Sequence, residues 1–269
     1  MNETRVKVFT RSFDLRLYRM AKGLFASLGY PCVRLTDQSA DGYFYTMLRD
    51  QDCDIAVNID EDAFLVDPQA VRDLVKRVAE EGWANAGYSD GDPATTGRNE
   101  IVTNPFFNVL NLRLIRTEFD RSQIRPRSFE DAEPYYPFFF WISDHFRTLY
   151  LPCRRHEDGI TTVAMDEEGR VICLHTWFSR FYSMPSWLVR RIEPTQGMQK
   201  SRIDAVIAEA YRMRGLDLPH FGVADRMAFA GNKVLRWIVK VPQRVARWPY
   251  KFKRMMARRR NTPHASGTN

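Results

Sequence analysis

The chain lacks any apolar run long enough to span a membrane, because a spanning helix needs about 18 or more such residues. Its first residues, MNETRVKVFTRS, also lack the apolar core of a secretory signal peptide. Cysteine is scarce and forms no C-x-x-C pair; the four residues are Cys32, Cys53, Cys153 and Cys173. We therefore expect a cytoplasmic protein with reduced, buried thiols and no zinc site.

Apolar residues make up 44% of the 269 residues and charged residues 27%, which is the composition of a folded protein with a substantial core. The formal net charge of +7 is concentrated at one end, since residues 233–260 hold eleven Lys or Arg and no Asp or Glu. Without those eleven, 29 of the 40 basic residues remain against 33 acidic ones. This mildly acidic body argues against a general nucleic-acid-binding surface.

The first half of the chain alternates strand-like and helix-like segments. Residues 5–10 (RVKVFT) and 54–58 (DIAVN) have the apolar, β-branched character of strands. Residues 13–28 carry apolar side chains at helical spacing, and Gly29 follows them as a helix-ending glycine. Asp67-Pro68 predicts the start of the next helix, with Asp67 as its N-cap. This alternation predicts a doubly wound α/β domain.

The second half is less regular. Residues 85–97 (NAGYSDGDPATTG) are rich in loop formers and predict a loop, and the aromatic run at 134–141 fits a core better than a sugar-stacking surface. The other predicted elements are strands at 107–115, 150–151, 161–165 and 171–175, a loop over the site at 124–136, and an amphipathic helix at 201–214.

Three consecutive carboxylates, Asp60, Glu61 and Asp62, follow directly from the predicted buried strand 54–58. Like charges repel and are costly to desolvate, so such a cluster at the carboxyl end of a central strand indicates a bound divalent cation. Asp60 and Asp62 can point to one place if the strand ends in a turn. Hard oxygen ligands suit Mg²⁺ or Mn²⁺, which would also bind a diphosphate. The alternative is a solvated turn with an N-cap.

With this motif in place, residues 5–180 resemble the glycosyltransferases of the A-type fold, of the bacterial surface-polysaccharide kind. Residues 6–10 resemble their first strand, and Asp60-Glu61-Asp62 resembles their D-x-D motif. The resemblance implies a single Rossmann-like domain with a mixed central sheet, a nucleotide-sugar donor, Mn²⁺ or Mg²⁺, and hexosyl transfer. We expect this catalytic domain at 1–200, a basic helical extension at 201–260 and a disordered tail at 261–269.

The resemblance also implies roles for individual residues. Asp62 would bind the metal, Asp60 would face both the metal and the donor's ribose or sugar, and His175, at the end of a late strand, would be a further ligand. The other donor contacts that it implies are Thr10, Arg11, Ser12, Asp37 and Asn108. Asn108 belongs to a segment similar to one in retaining members, but Leu110 stands where those members have glycine, so the stereochemistry stays open.

An inverting transfer needs a carboxylate as general base on the acceptor hydroxyl, whereas a retaining transfer can proceed without one. Asp131 is the preferred candidate for this base, and Asp144 is a second candidate. The other candidates are Glu130 and Glu133 as bases, and Arg154, Arg155 and Arg180 as partners of the diphosphate.

The tail from 227 to 260 interleaves aromatic residues with cations, which is typical of a helix lying in the plane of an anionic membrane. We therefore expect peripheral binding to the inner face of the membrane and a lipid-linked or surface-polysaccharide acceptor, such as a lipopolysaccharide precursor. Two alternatives stay open. One is a nucleotidyltransferase acting on sugar phosphates, although RSFDLRLY lacks the glycine-rich loop typical of that class. The other is a non-enzymatic, membrane-attached binding protein.

Overall fold

The computed structural model describes residues 4–36, 42–95, 99–125, 133–183, 191 and 199–235. The chain divides into two compact units, Met1–His220 and Phe221–Asn269. The first unit contains both β-sheets, and the second contains a helix at residues 223–235. All four cysteines are free; Cys53 and Cys173 are buried, whereas Cys32 and Cys153 are only half-buried.

The first unit contains ten strands and six α-helices among the described residues. The strands are β1 (Val6–Arg11), β2 (Cys32–Leu35), β3 (Ile55–Ile59), β4 (Ala63–Leu65), β5 (Asn85–Ser89), β6 (Thr103–Asn111), β7 (Thr148–Leu151), β8 (Cys153–Arg155), β9 (Thr162–Met165) and β10 (Val171–His175). The helices are α1 (Leu15–Phe25), α2 (Gly42–Arg49), α3 (Pro68–Glu80), α4 (Leu112–Ile115), α5 (Tyr136–His145) and α6 (Gln199–Met213).

Six strands form a mixed central sheet in the order β2-β1-β3-β6-β5-β7. Strands β1, β2 and β3 run parallel, β6 runs antiparallel to both β3 and β5, and β7 is parallel to β5. The carboxyl ends of β1, β3 and β5 therefore share one edge of the sheet. The predicted α/β class with a mixed central sheet is confirmed.

A second sheet of four antiparallel strands has the order β4-β10-β9-β8. Three residues separate the end of β3 from the start of its first strand, β4, so the acidic turn (residues 60–62) joins the two sheets. β10 pairs with β4 in a register that places His175 opposite Ala63. This register brings the end of a late strand beside the acidic turn. The predicted hairpin between β9 and β10 is confirmed, with Gly169 at φ 82° in its turn.

The helix boundaries follow the local signals in the sequence. Asp67 caps α3 by accepting hydrogen bonds from the backbone N–H groups of Gln69 and Ala70, and Pro68 occupies the first helical position. α1 continues into a short 3₁₀ turn that ends at Gly29, whose φ of 76° is left-handed. These predicted caps are confirmed.

The structure corrects two predicted segments. The loop expected at 85–97 begins with strand β5, whose glycine at position 87 lets Asn108 of β6 pack over the backbone. The strand expected at 107–115 lies at Thr103–Asn111 and is followed by α4, because the Asn111 side chain accepts a hydrogen bond from the Leu114 N–H and starts a helical turn. In the first segment, pairing with a neighbouring strand outweighs the intrinsic preference of the residues for a loop. In the second, a local cap outweighs the preference of the residues for a strand.

The aromatic run belongs to the core, as predicted. α5 packs its rings against α2, with Phe44 stacked on Phe138 and edge-on to Phe139 at centroid distances of 5.0 Å each. All three rings are buried. Such aromatic pairs add to the free energy gained from burial of their area.

Helix α6 is part of the first unit, which extends to His220, beyond the boundary predicted at residue 200. The Tyr211 hydroxyl donates a hydrogen bond of 2.7 Å to the backbone oxygen of Met20 on α1. Ile203, Ile207 and Ala210 form the buried side of this helix.

The close packing at Gly87 predicts a measurable loss of stability on substitution. In Gly87→Ala, the new Cβ would overlap Asn108 Nδ2 and lie 3.0 Å from the Phe107 carbonyl oxygen, so β5 and β6 would have to separate. We expect the free energy of unfolding to fall by about 1–3 kcal/mol in urea denaturation. Gly231→Ala is the control, because nothing lies within 4 Å of its new Cβ. Equal stability of both variants and the parent would contradict the packing described here.

Candidate functional site

The acidic turn is buried at the junction of the two sheets. The backbone N–H of Asp60 donates to the Phe106 carbonyl on β6 at 2.9 Å, and the N–H of Ala63 donates to the Asp60 carbonyl at 3.0 Å. Asp60, Glu61 and Asp62 are only 9%, 3% and 5% exposed. The alternative of a solvated turn is therefore wrong, since each carboxylate must find its partner inside the protein.

Glu61 connects the acidic turn to the loop between β1 and α1 by hydrogen bonds. Its Oε2 accepts hydrogen bonds from the Ser12 hydroxyl at 2.8 Å and from the backbone N–H groups of Phe13 and Asp14 at 3.0 and 2.8 Å. Burial raises the pKa of Glu61 to about 8, although these donors act in the opposite direction. The sequence did not indicate this role for the middle residue of the motif.

Asp62 is paired with His175. Its Oδ1 lies 3.4 Å from His175 Nε2, and its backbone oxygen accepts a hydrogen bond from the Thr176 N–H at 2.9 Å. Burial acts to raise the pKa of Asp62, but the charge and hydrogen bond of His175 lower it overall. Phe106 stacks on the His175 ring at 4.3 Å with an interplanar angle of 9°. Nδ1 of His175 is buried and has no hydrogen-bond partner among the described residues.

Asp60 faces Arg11 on the other side of the turn. Its Oδ2 lies 3.4 Å from Arg11 Nη2, whereas its Oδ1 is buried and finds no hydrogen-bond partner in the described part of the chain. Burial raises the pKa of Asp60 to about 6; Arg11 opposes this shift and Asp62 adds to it. Burial acts to lower the pKa of Arg11, but Asp60 and its neighbours raise it overall, so the guanidinium stays charged. It lies 5.1 Å from the centre of the Tyr43 ring.

This arrangement fits a divalent cation in part. Within the described residues, no group of three or more His, Cys, Asp or Glu side chains is placed so that it could hold a metal ion. What is present is a buried carboxylate oxygen of Asp60 without a partner, next to the Asp62–His175 pair. A cation held by these three side chains would supply the missing partner. Two carboxylates and one imidazole suit Mn²⁺ or Mg²⁺ by the chemistry of their donor atoms.

Three further residues predicted to contact the donor lie inside the protein. Thr10 is buried on β1, and the Ser12 hydroxyl is engaged by Glu61 and by Arg34 Nε, which donates to it at 3.0 Å. Asn108 is buried on β6 opposite Asn58 and donates to the Thr103 hydroxyl at 3.0 Å. The donor-binding roles of Thr10, Ser12 and Asn108 stay predictions.

Of the predicted bases, the structure describes Asp144 and Glu133, and neither is among the residues gathered at the acidic turn. Asp144 lies on the last turn of α5 with its side chain exposed, and Glu133 is exposed before that helix. Asp37, Glu130 and Asp131 lie outside the described residues. Arg154 and Arg155 are exposed on β8, while of Arg180 only the backbone is described. The structure thus brings together Arg11, Asp60, Asp62 and His175.

Asp90 was missed by the sequence analysis. It follows β5 directly, as Asp60 follows β3, and because these strands run the same way both residues lie at one edge of the sheet. Asp90 is fully buried and accepts hydrogen bonds from Asn104 Nδ2 and from the hydroxyls of Tyr135 and Tyr136. It thereby fixes the start of α5. A strand assignment for 85–89 would have been the signal to find it.

Comparison with known proteins gives weak similarities only. No protein-family model matches the chain, and no curated protein sequence matches it. The mannosyltransferase PcManGT from Pyrobaculum calidifontis, solved with GDP-Man and Mn²⁺, is 12% identical, with a TM-score of 0.43 over 95% of this chain and 84% of that one. A glycosyltransferase involved in glycosylation of the major capsid of PBCV-1 is 9% identical, with a TM-score of 0.39 over 55% and 80%.

A third structure, A197 from STIV, is 14% identical, with a TM-score of 0.42 over 63% of this chain and 94% of that one. These identities and TM-scores are too low to assign an activity to this chain.

The contacts of Glu61 predict a stability change that depends on pH. Glu61→Ala would leave the Ser12 hydroxyl and two backbone N–H groups without an acceptor, so we expect a loss of about 2–4 kcal/mol in urea denaturation. Because its pKa is raised on folding, wild-type Glu61 contributes stability that is present at low pH and is lost as pH rises toward about 8.

Glu61→Gln keeps an acceptor oxygen and has no charge, so this variant should lose that part of the pH dependence. The measurement is urea unfolding at about pH 5 and about pH 8. Glu80→Gln, at an exposed position on α3, is the control and should behave like the parent at both values. An unchanged pH dependence in Glu61→Gln would show that this carboxyl does not titrate as described.

Proposed function

We propose that this chain is a metal-dependent glycosyltransferase of the hexosyltransferase class, which moves a sugar from a nucleotide-sugar donor to an acceptor hydroxyl. The observation that carries the proposal is the buried acidic turn at the carboxyl edge of the central sheet, where Asp60 and Asp62 lie beside His175 and Arg11. In open α/β sheets this edge is where ligands bind.

Asp60, Asp62 and His175 would hold Mn²⁺ or Mg²⁺. When bound there, the ion supplies Lewis-acid stabilisation to a departing diphosphate. Arg11 is held charged by the carboxylates around it and lies at the same turn, so it would bind donor phosphate as a fixed cation. Phe106 covers one face of His175 and keeps that ring in place.

For the acceptor, we propose a lipid-linked or surface-polysaccharide glycan. In an inverting transfer, Asp131 is the proposed base and Asp144, exposed on α5, is the second choice. In a retaining transfer, neither Asp131 nor Asp144 would act as the base. Asp37 and Asn108 are kept as proposed donor contacts, the first at the base and the second at the sugar.

The loop after β1 favours this proposal over a nucleotidyltransferase. A phosphate-cradling loop needs backbone N–H groups that point freely at the ligand. Here the N–H groups of Phe13 and Asp14 are already bound to Glu61. The loop is thus occupied by a side chain of the protein itself.

We also propose that the chain lies on the inner face of a membrane through its C-terminal unit. The helix at 223–235 exposes Val223, Met227 and Val234, which recur at a spacing that places them on one face. Arg226 and Lys233 lie on one side of that face. Each of the cations between residues 233 and 260 would add about 1 kcal/mol near an anionic surface. Within the described residues, no helix has the length and apolar character needed to cross the bilayer.

Removal of the second motif carboxylate tests the enzyme proposal. In Asp62→Ala we expect Mn²⁺-dependent release of nucleoside diphosphate from UDP- or GDP-sugars to fall by about 100-fold or more, since a bound metal supplies several kcal/mol. Asp73→Ala, an exposed carboxylate on α3, should leave the rate unchanged. Full turnover in Asp62→Ala would exclude the site.

Two other outcomes would redirect the assignment. Pyrophosphate release from a nucleoside triphosphate and a sugar phosphate would indicate a nucleotidyltransferase. Wild-type protein that binds no UDP or GDP with Mn²⁺ in calorimetry would favour the non-enzymatic binding protein.

Charge placed on the apolar face of helix 223–235 tests the membrane proposal. Met227→Glu should reduce co-sedimentation with anionic vesicles several-fold, because the carboxylate opposes burial in the lipid interface. Asn232→Glu is the matched control, since it adds the same charge half a turn away from that face. Equal binding of wild-type protein to neutral and anionic vesicles would contradict the electrostatic part of the proposal.

A further inference from the structure

The backbone directly after His175 is in an unusual conformation. Trp177 and Phe178 have φ values of 58° and 59°, and the described part of the chain contains no other non-glycine residue with positive φ. A bulky residue in the left-handed region is strained and persists only where its surroundings hold it. Two such residues in succession therefore need a specific restraint.

This left-handed turn (residues 176–179) contacts both members of the pair formed by Asp62 and His175. The Thr176 N–H donates to the Asp62 carbonyl at 2.9 Å, and the Ser179 N–H lies 3.4 Å from Asp62 Oδ2. The Trp177 ring lies 4.2 Å from the His175 ring, centre to centre. The positions of the Asp62 carboxylate and the His175 imidazole therefore depend on the conformation of this turn.

Arg202 of α6 supplies the restraint. Its side chain is 12% exposed, and its Nη2 donates to the carbonyl oxygens of Thr176 and Trp177. Its Nη1 donates to the Thr161 hydroxyl at 2.8 Å and to Asp158 Oδ2 at 3.1 Å. One guanidinium therefore connects the left-handed turn to the loop between β8 and β9. Only a planar fork of donors can make these contacts together.

We propose that Arg202 is a positioning residue for the metal-binding pair Asp62 and His175. It bonds the carbonyls of the left-handed turn, keeps Trp177 and Phe178 in their strained conformation, and so fixes the separation between Asp62 and His175. It is not itself one of the residues proposed to bind the metal or the donor. The inference rests on the proposed function, because the pair has this role only if the site binds a cation.

The test is Mn²⁺ binding by the full chain, measured by electron paramagnetic resonance, together with thermal unfolding. Arg202→Lys keeps the charge but cannot reach both carbonyls and the Asp158 side at once. We expect its Mn²⁺ affinity to fall about 10-fold or more, as for other residues that orient metal ligands. Arg202→Ala should lose at least as much. Lys200→Ala is the control on the same helix, because its half-exposed ammonium pairs with Asp204 and lies over the Tyr182 ring.

The outcomes separate the inference from the proposed function. Wild-type protein that binds no Mn²⁺ would overturn both. Wild-type binding with unchanged affinity in Arg202→Lys, even at a lower melting temperature, would assign Arg202 a structural role and overturn the inference alone. Where Arg202→Ala fails to fold, Arg202→Lys decides. A selective loss of affinity in folded Arg202→Lys, with Lys200→Ala unchanged, is the expected result.

Discussion

Three consecutive carboxylates are buried in the turn that joins the two sheets, and the arrangement around them follows from that constraint. Each carboxylate has a different partner: Glu61 binds the loop after β1, Asp62 binds His175, and Asp60 faces Arg11. The partners come from β1, its following loop and β10. Without them, the electrostatic repulsion and desolvation of the turn would oppose folding. The turn is thus both a joint of the fold and the centre of the candidate site.

The three carboxylates are not equally supplied with hydrogen-bond partners, and this difference supports the proposed ligand site. Oε2 of Glu61 accepts three hydrogen bonds, whereas Asp60 retains a buried oxygen without a partner in the described residues. A purely structural cluster would be expected to satisfy every buried oxygen. Arg11 adds a fixed positive charge beside the same Asp60 carboxylate, at Oδ2. Cation and phosphate could therefore be bound next to each other, which is the requirement for departure of a diphosphate.

The surroundings of the turn are rigid for identifiable reasons. Phe106 is held between Tyr88 and His175 by ring stacking, and Asp90 ties Asn104 to the start of α5. On the side of β10, Arg202 donates hydrogen bonds to carbonyl oxygens of the left-handed turn. A binding site requires such support, because small displacements of its ligating groups cost affinity.

The sequence by itself determined the features that depend on neighbouring residues: the cap at Asp67-Pro68, the helix end at Gly29, the β9–β10 hairpin and the acidic motif after a buried strand. Tertiary structure decided the rest. β5 consists of residues that favour loops, and it is a strand because β6 and β7 pair with it. The role of Glu61, the burial of Asp90 and the hold of Arg202 on the turn after β10 all join residues distant in the chain. Local propensity carries no information on such pairings, because their energy exists only once the two sheets have formed.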